Sequence, residues 1–316
     1  MEISAKIIAH SKSSVNGKEI VTFELEYPRF IHGELMTHRL FSRNAASSRA
    51  IPVAKVIEAV RSAPACPVHW GKNQPGMQAK EQLSGVNKID VMGEWQLAAM
   101  NAADSAQFMA DEGAHKQIVN RILEPFQMMK TVLTATEFDN FFWLRKHPDS
   151  QPEINLLAEK MWESLKESEP QTLLPGMWHL PYVDTMLLND EDGNLCQQVY
   201  FCRHEGKTME TSLECALAIS ASCCAQVSYR KLDDSLEKAK DIFGKLIESK
   251  PCHASPTEHQ ATPMAYPEVI DSTYVFSAGD GVTHADMSGN YWSGNFKSWI
   301  QHRQLIPVNV CWNFEE

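Results

Sequence analysis

No apolar run in these 316 residues approaches the length of a membrane span, and the opening MEISAKIIAHSK lacks the long apolar core of a signal peptide. Both absences point to a cytoplasmic protein with no membrane partner. The eight cysteines form no Cys-x-x-Cys pair and no regular framework, so in a chain of this length they read as reduced, mostly buried thiols. No Gly-x-Gly-x-x-Gly follows a strand-like run, because Gly279-Asp-Gly281 continues into Val-Thr-His, and a dinucleotide-binding Rossmann unit is unsupported. The metalloenzyme motif His-x-x-Glu-His is missing as well. Cys252-His253 with Glu258-His259 has a metal-ligand flavour but not the spacing of a zinc site, so no metal is expected. Excess positive charge is also lacking: the formal net charge of -11 argues against a general nucleic-acid or anionic-membrane binder.

What is present begins with one local reversal of that charge. Between Glu34 and Glu58 there is no acidic residue, while His38, Arg39, Arg43, Arg49 and Lys55 all fall there. Ser42, Asn44, Ser47 and Ser48 lie between the arginines, so guanidinium forks and short polar donors can converge on one anion, and phosphate suits such a site. The run Glu19 to Glu26 before it alternates as a strand, with Val21, Phe23 and Leu25 on one face, and Pro28 stops it. From Phe30 onward Ile31, Leu35 and His38 recur at helical spacing, which puts Glu34 and His38 one turn apart.

With 43% hydrophobic residues the chain can bury a substantial core as one large domain or two. Pro52 opens a helix with Val53, Val56, Ile57 and Val60 on one face. Residues 64 to 91 read as an irregular excursion, and Met92 to Asp111 as a strong helix whose Trp95 and Met100 pack in the core. Gly113 to Pro125 is expected to bury Ile118, Ile122 and Leu123 with Arg121 beside them, so that Arg121 is either paired with a carboxylate or awaiting an anionic ligand. Leu173 to Tyr182 and Gln197 to Cys202 are candidate strands joined by the acidic turn Asn189 to Gly193. Asp233 to Ser249 is an amphipathic helix, and Ser255, Pro256 and Glu258 have the pattern of a capping box.

Thr37-His38-Arg39, followed after seven residues by Ser47 and then Arg49, resembles the signature of the flavin-dependent thymidylate synthases (ThyX), normally Arg-His-Arg, seven residues, Ser, then Gly-Arg. The strand and proline Phe23 to Pro28 are similar to the family's lead-in. Gly113 to Pro125 resembles its helix with a nucleotide-binding arginine, although Glu124 stands where the family has leucine. Asn140-Phe-Phe-Trp-Leu-Arg145 with Ser150-Gln-Pro-Glu-Ile154 is similar to a third family stretch. Ala225 to Arg230 and His253 to His259 resemble what is normally the family's amino-terminal part, so its pieces stand here in circularly permuted order. Phe296 to Arg303 repeats the entry into the basic signature without its serines and reads as a structural echo.

The resemblance implies an α+β, ThyX-like fold, a mixed or antiparallel sheet flanked by long helices. Residues 1–165 would carry the basic signature and the helical nucleotide-binding part, and 166–209 an insertion of unknown role. Residues 210–316, the permuted segment, would pack with 1–165 as one domain. It further implies an FAD-dependent enzyme that methylates dUMP, or a related pyrimidine deoxynucleotide, to dTMP with methylenetetrahydrofolate and NADPH, as a cytoplasmic homotetramer with shared sites. A flavin- and folate-dependent pyrimidine deoxynucleotide hydroxymethylase and a non-catalytic nucleotide-binding relative are the alternatives. Carried over by position, His38, Arg39, Asn140, His253 and Ser255 would hold flavin. Glu34, Thr37, Ser47, Ser48, Arg49, Arg121 and Arg145 would hold the nucleotide, with Arg145 the catalytic group that favours negative charge in the uracil ring. Three departures fall in the same place: Thr37 replaces the first arginine, Glu34 a glutamine and Ala45 a glutamate.

Overall fold

The computed structural model describes residues 2–228, 232–265, 269–270, 275–276 and 279–314. Its centre is a mixed sheet of β1 (Ser4–Ser13), β2 (Glu19–Pro28), β3 (Ser42–Ala45), β4 (Met128–Ala135) and β5 (Gln171–Leu173), in the order β3-β4-β2-β1-β5. All neighbours are antiparallel except β1 and β5, which run parallel. The fold is therefore α+β.

The alternation of β2 decides the layering. Val21, Phe23, Leu25 and Tyr27 point to one face, as do Met129, Leu133 and Ala135 from β4, and all are buried. Helices α5 (Asp139–Arg145) and α6 (Pro152–Glu167) close that face with Phe141, Phe142, Ile154, Leu157 and Met161. The opposite face is the one the alternation leaves charged or polar. It carries polar residues, but Thr22 and Thr134 are fully buried because the C-terminal half of the chain lies over them.

That cover is tied down by a run of buried hydrogen bonds. Thr22 Oγ1 and Thr134 Oγ1 stand 2.7 Å apart, His179 Nε2 is 2.8 Å from Thr22, and His259 Nδ1 is 2.8 Å from Thr134. At the ends, His179 Nδ1 lies 2.9 Å from Ser11 Oγ and His259 Nε2 lies 3.4 Å from Asn44 Oδ1. Ile20, Leu173, Met177, Phe296 and Trp299 form the apolar cluster beside it. The strand Trp299–Gln301, inside the expected echo of the signature, pairs antiparallel with Ala261–Pro263. Gln301 donates from Nε2 to Ser42 Oγ, to the Glu258 carbonyl and to Asn295 Oδ1, so this stretch packs the C-terminal block onto the edge strand β3.

A second layer is helical. In chain order, α1 (His32–Leu35), α2 (Val53–Ser62), α3 (Gly85–Asp111) and α4 (Lys116–Val119) precede β4. Pro52 precedes α2 as expected, and Val56, Ile57 and Val60 bury against Ala99, Ala103 and Ala106 of α3, whose small side chains let the axes approach. Helix α3 starts seven residues earlier than Met92, at Gly85, and spans 27 residues. Trp95 is half-buried among Phe30, Trp70 and Phe126 and donates to the Ala65 carbonyl at 2.9 Å. A third layer holds β6 (Thr185–Asn189), β7 (Leu195–His204) and β8 (Lys207–Thr211), packed on α7 (Leu213–Ala225) and α8 (Leu236–Leu246). The acidic turn joins β6 to β7 as expected, but the first strand begins at Thr185 rather than Leu173, because residues 174–184 cross the sheet to place His179. Of the stretch 225–230, Tyr229 and Arg230 lie outside the described residues.

Burial holds both His179 and His259 down to about 3. The folded chain keeps them neutral where the unfolded chain, at the ordinary 6.5, takes up protons. Their contribution to stability is complete above 6.5 and is lost as the pH falls from 6.5 towards 3. The slope they add is at most about 1.4 kcal/mol per pH unit for each ring. Urea denaturation over that window should show the decline, and His179→Gln with His259→Gln should flatten it; an undiminished slope would mean other groups carry it.

Candidate active site

Helix α5 ends at Arg145, two residues short of the residue preceding Pro148, a position that disfavours helix. Its last carbonyl accepts from Ser150 Oγ at 2.8 Å and from Asn155 Nδ2 at 2.9 Å, which fixes where the guanidinium starts. That guanidinium then meets three residues of one segment. Nε donates to His38 Nε2 at 2.9 Å, Nη1 to Glu34 Oε2 at 3.3 Å and Nη2 to Thr37 Oγ1 at 3.4 Å. The His38 ring stands edge-on to Phe141 at 4.9 Å. Burial first, then the charges of Arg145 and Arg43, lower the His38 imidazole to about 4, so it is neutral and accepts from Arg145.

The segment itself differs from the continuous helix expected from Phe30. Arg29–Ile31 is a 3-10 turn, α1 lasts four residues, and Thr37 returns its hydroxyl to the Glu34 carbonyl at 2.7 Å. Arg43 Nη1 donates to the carbonyls of Leu35 and His38, both at 3.1 Å, completing the helix end from the following strand. Arg43 therefore serves the backbone rather than adding a free charge to the anion site.

Glu124 gathers the second group. Its Oε1 accepts from Arg29 and Arg121, both at 2.9 Å, and from Ser48 Oγ at 3.1 Å. Of the two readings of Arg121, the structure shows the pairing with a carboxylate. The expected burial around it is corrected. Ile118 in α4 and Ile122 in the 3-10 turn Asn120–Phe126, which contains Pro125, face outward, while Val119 and Leu123 stay inside. Asn120, fully buried, donates from Nδ2 to the carbonyls of Ser48 at 2.7 Å and Ile51 at 3.0 Å. It pins the loop of Ser47, Ser48 and Arg49, in which Ser47 Oγ accepts from the Arg49 amide at 3.3 Å.

Of the residues expected to hold the nucleotide, Glu34, Thr37 and Arg145 meet in one cluster and Ser48 and Arg121 in the other; Arg49 is exposed outside both. The two are joined by a short piece of chain, with Arg29 at its start and Glu34 to His38 at its end. Of the flavin set, His38 is half-buried, while Arg39, Asn140, His253 and Ser255 are all exposed. The expected capping box is overturned. Ser255–Glu258 is a single 3-10 turn without a side-chain cap, and Glu258 pairs with Arg303 instead. Beside the Ser47–Arg49 loop a cavity of about 540 Å³ opens between α2 and the sheet, lined by Ala46, Ile51, Val56 and Phe126 with Lys55 and Lys130; no residue singled out from the sequence as flavin- or nucleotide-binding lines it.

Sequence reasoning missed three participants: Arg29, Asn120, and Glu124 as a ligand of arginine. Asn120 had a visible signal, a polar residue on the stripe of Val119 and Leu123. Arg29 and Glu124 are 95 positions apart in sequence, and nothing local couples them.

The chain matches the family described as thymidylate synthase complementing protein over residues 2–171, which is more than half of its 316 residues. It belongs to that family. It also shares features with solved structures of the UMP/dUMP methylase PolB from Streptomyces cacaoi bound with 5-Br UMP (19% identity, 52% of this chain and 89% of that chain, TM-score 0.44). A structure of the flavin-dependent thymidylate synthase ThyX from Helicobacter pylori complexed with FAD and dUMP is similar over 46% of this chain and 67% of that chain, at 19% identity and TM-score 0.33. No curated protein matches the sequence.

Within this thymidylate synthase complementing protein family member, both residue clusters fall inside the matched span. Burial, then the nearby carboxylates of Asp234 and Asp233, pushes the Cys223 thiol up to about 12, and burial raises Cys224 well above its usual value, so neither is poised as a thiolate nucleophile. All eight cysteines are free thiols. Among the described residues no helix is long and apolar enough to cross a membrane. If Arg145 holds His38 as the distances indicate, Arg145→Ala removes one of the charges that depress the imidazole. The His38 value, followed by proton NMR, should then rise from about 4 towards 6.5; an unmoved titration would mean the contact is absent in solution.

Proposed function

We propose that this chain is a flavin-dependent enzyme that modifies the pyrimidine ring of dUMP, by reductive methylation to dTMP with methylenetetrahydrofolate as carbon donor and NADPH as reductant. Family membership supports the reaction class. The observation that carries the reading is the guanidinium of Arg145, held at its Nε by neutral His38 while its two Nη groups make only the longer contacts to Glu34 and Thr37. The anchored edge keeps its position, and the two Nη groups are the ones that can exchange partners for the edge of a uracil ring. C5 of a pyrimidine becomes nucleophilic as negative charge builds in the ring, and a fixed guanidinium stabilises that charge where it develops.

The phosphate of the nucleotide would be met by Ser47, Ser48, Arg49 and Arg121. FAD would take the remaining donors: Arg39, Asn140, His253 and Ser255 offer an exposed cation, amide, imidazole and hydroxyl, and His38 a half-buried imidazole. When bound it supplies the reducing equivalents of the reaction. Residues 1–165 and 210–316 would form the one domain that holds these groups, with the family's usual first segment permuted to the C-terminal side and 166–209 inserted between. The long helix α3 exposes Val86, Ile89, Leu97 and Phe108, an apolar surface in keeping with a homotetramer that shares its sites between subunits.

Purified protein should be yellow, and its reduced flavin should be reoxidised in a manner that depends on dUMP and methylenetetrahydrofolate. Arg145→Ala should lower kcat by about 100-fold or more with flavin retained, the scale of losing one charge-stabilising donor. Arg39→Ala should instead weaken flavin retention. Product mass separates a methyl from a hydroxymethyl group. An Arg145→Ala protein of normal turnover would refute the role assigned to that residue.

A further inference from the structure

The proposed reaction gives Glu124 no role, and its position makes it more than a structural partner. One carboxylate oxygen takes two guanidiniums and a hydroxyl, the same donor set that a phosphate oxygen would take. Two of the three donors start from backbone that is held without it. The Ser48 carbonyl is pinned by buried Asn120, and the Arg29 amide donates to the Gln127 carbonyl at 2.8 Å. Arg121 is half-exposed, with 54% of its side chain open, so the group is reachable from solvent. Two positive groups face one negative group, which leaves one unit of positive charge among these four residues.

We propose that Glu124 is an internal anion occupying a phosphomonoester seat formed by Ser48, Arg29 and Arg121, and that it sets how tightly a phosphorylated ligand binds there. A phosphate entering the seat takes over the two guanidiniums and the Ser48 hydroxyl, and the Glu124 side chain has to turn away from them. The backbones of Ser48 and Arg29 are held independently of Glu124, so these two donors keep their place as its side chain turns. The carboxylate therefore opposes phosphate twice, by holding its donors and by repelling its charge. That the phosphate belongs to a pyrimidine nucleotide rests on the proposed function; the chemistry of the seat does not.

Isothermal titration of the full-length protein tests it, with inorganic phosphate, dUMP and deoxyuridine as probes. Glu124→Gln keeps the size of the side chain and removes its charge. It should tighten inorganic phosphate and dUMP by about tenfold or more and leave deoxyuridine unchanged. Adding Arg121→Ala to Glu124→Gln should abolish the gain, which a general change in folding or flexibility would not do selectively. Thermal unfolding of each variant establishes that the compared proteins are folded, and Glu124→Leu serves if the glutamine variant is not. Unchanged or weaker phosphate binding in the folded variant overturns the proposal, even if the wild-type protein binds dUMP and the functional reading stands. Tighter inorganic phosphate with dUMP bound no better than inorganic phosphate supports the seat and defeats the functional reading instead.

Discussion

Two threonine hydroxyls 2.7 Å apart in the middle of a buried sheet face are the constraint on which the rest of this structure depends. Thr22 and Thr134 would be costly to bury alone, since an unpaired buried hydroxyl forfeits its water for nothing. The chain meets that requirement from far away, with His179 crossing from one side and His259 from the other. The same contacts bring the C-terminal block against β3, whose Ser42 and Asn44 it grips through Gln301 and His259. Polar satisfaction inside the sheet thus fixes the surroundings of the basic segment.

Around that segment, charge is paired before any ligand arrives. Glu34 answers Arg145, Glu124 answers Arg29 and Arg121, and Glu258 answers Arg303. The stretch from residue 35 to 57 contains no acidic residue, and the carboxylates beside it pair with arginines from outside it: Arg145, Arg29, Arg121 and Arg303. Such pairs, partly shielded from water, hold guanidiniums in defined places at little net gain in stability, which suits residues whose value lies in orientation.

The departures from the family signature take on physical content in this light. Thr37 and Glu34 both sit on the guanidinium of Arg145, so two of the altered positions act on one group. Neutral His38 is its third contact and the shortest. The exchange of an arginine for threonine removes a charge beside Arg145 and adds a hydroxyl that can accept from it, so the cluster keeps its connections while losing cationic density.

The sequence by itself determined the alternating strand β2, the helix behind Pro52, the hairpin at the acidic turn, and the resemblance carried by the spacing of His38, Ser47 and Arg49. Each depends on residues near one another in the chain, where periodicity and turn chemistry act directly. Through a motif resemblance it also put Glu34, Thr37 and Arg145 in a nucleotide set and His38 in a flavin set, while the fold decided that His38 meets the other three on one guanidinium. Only the tertiary structure decided that Thr22 is buried, that Arg121 has a carboxylate, that Ser255 opens a single 3-10 turn, and that Glu258 serves Arg303 rather than a cap. For the burial and the two pairings the reason is common: they are properties of neighbours in space. Those neighbours come from segments tens to hundreds of residues distant, or, for Arg121 and Glu124, from a turn whose 3-10 geometry no helical period anticipates.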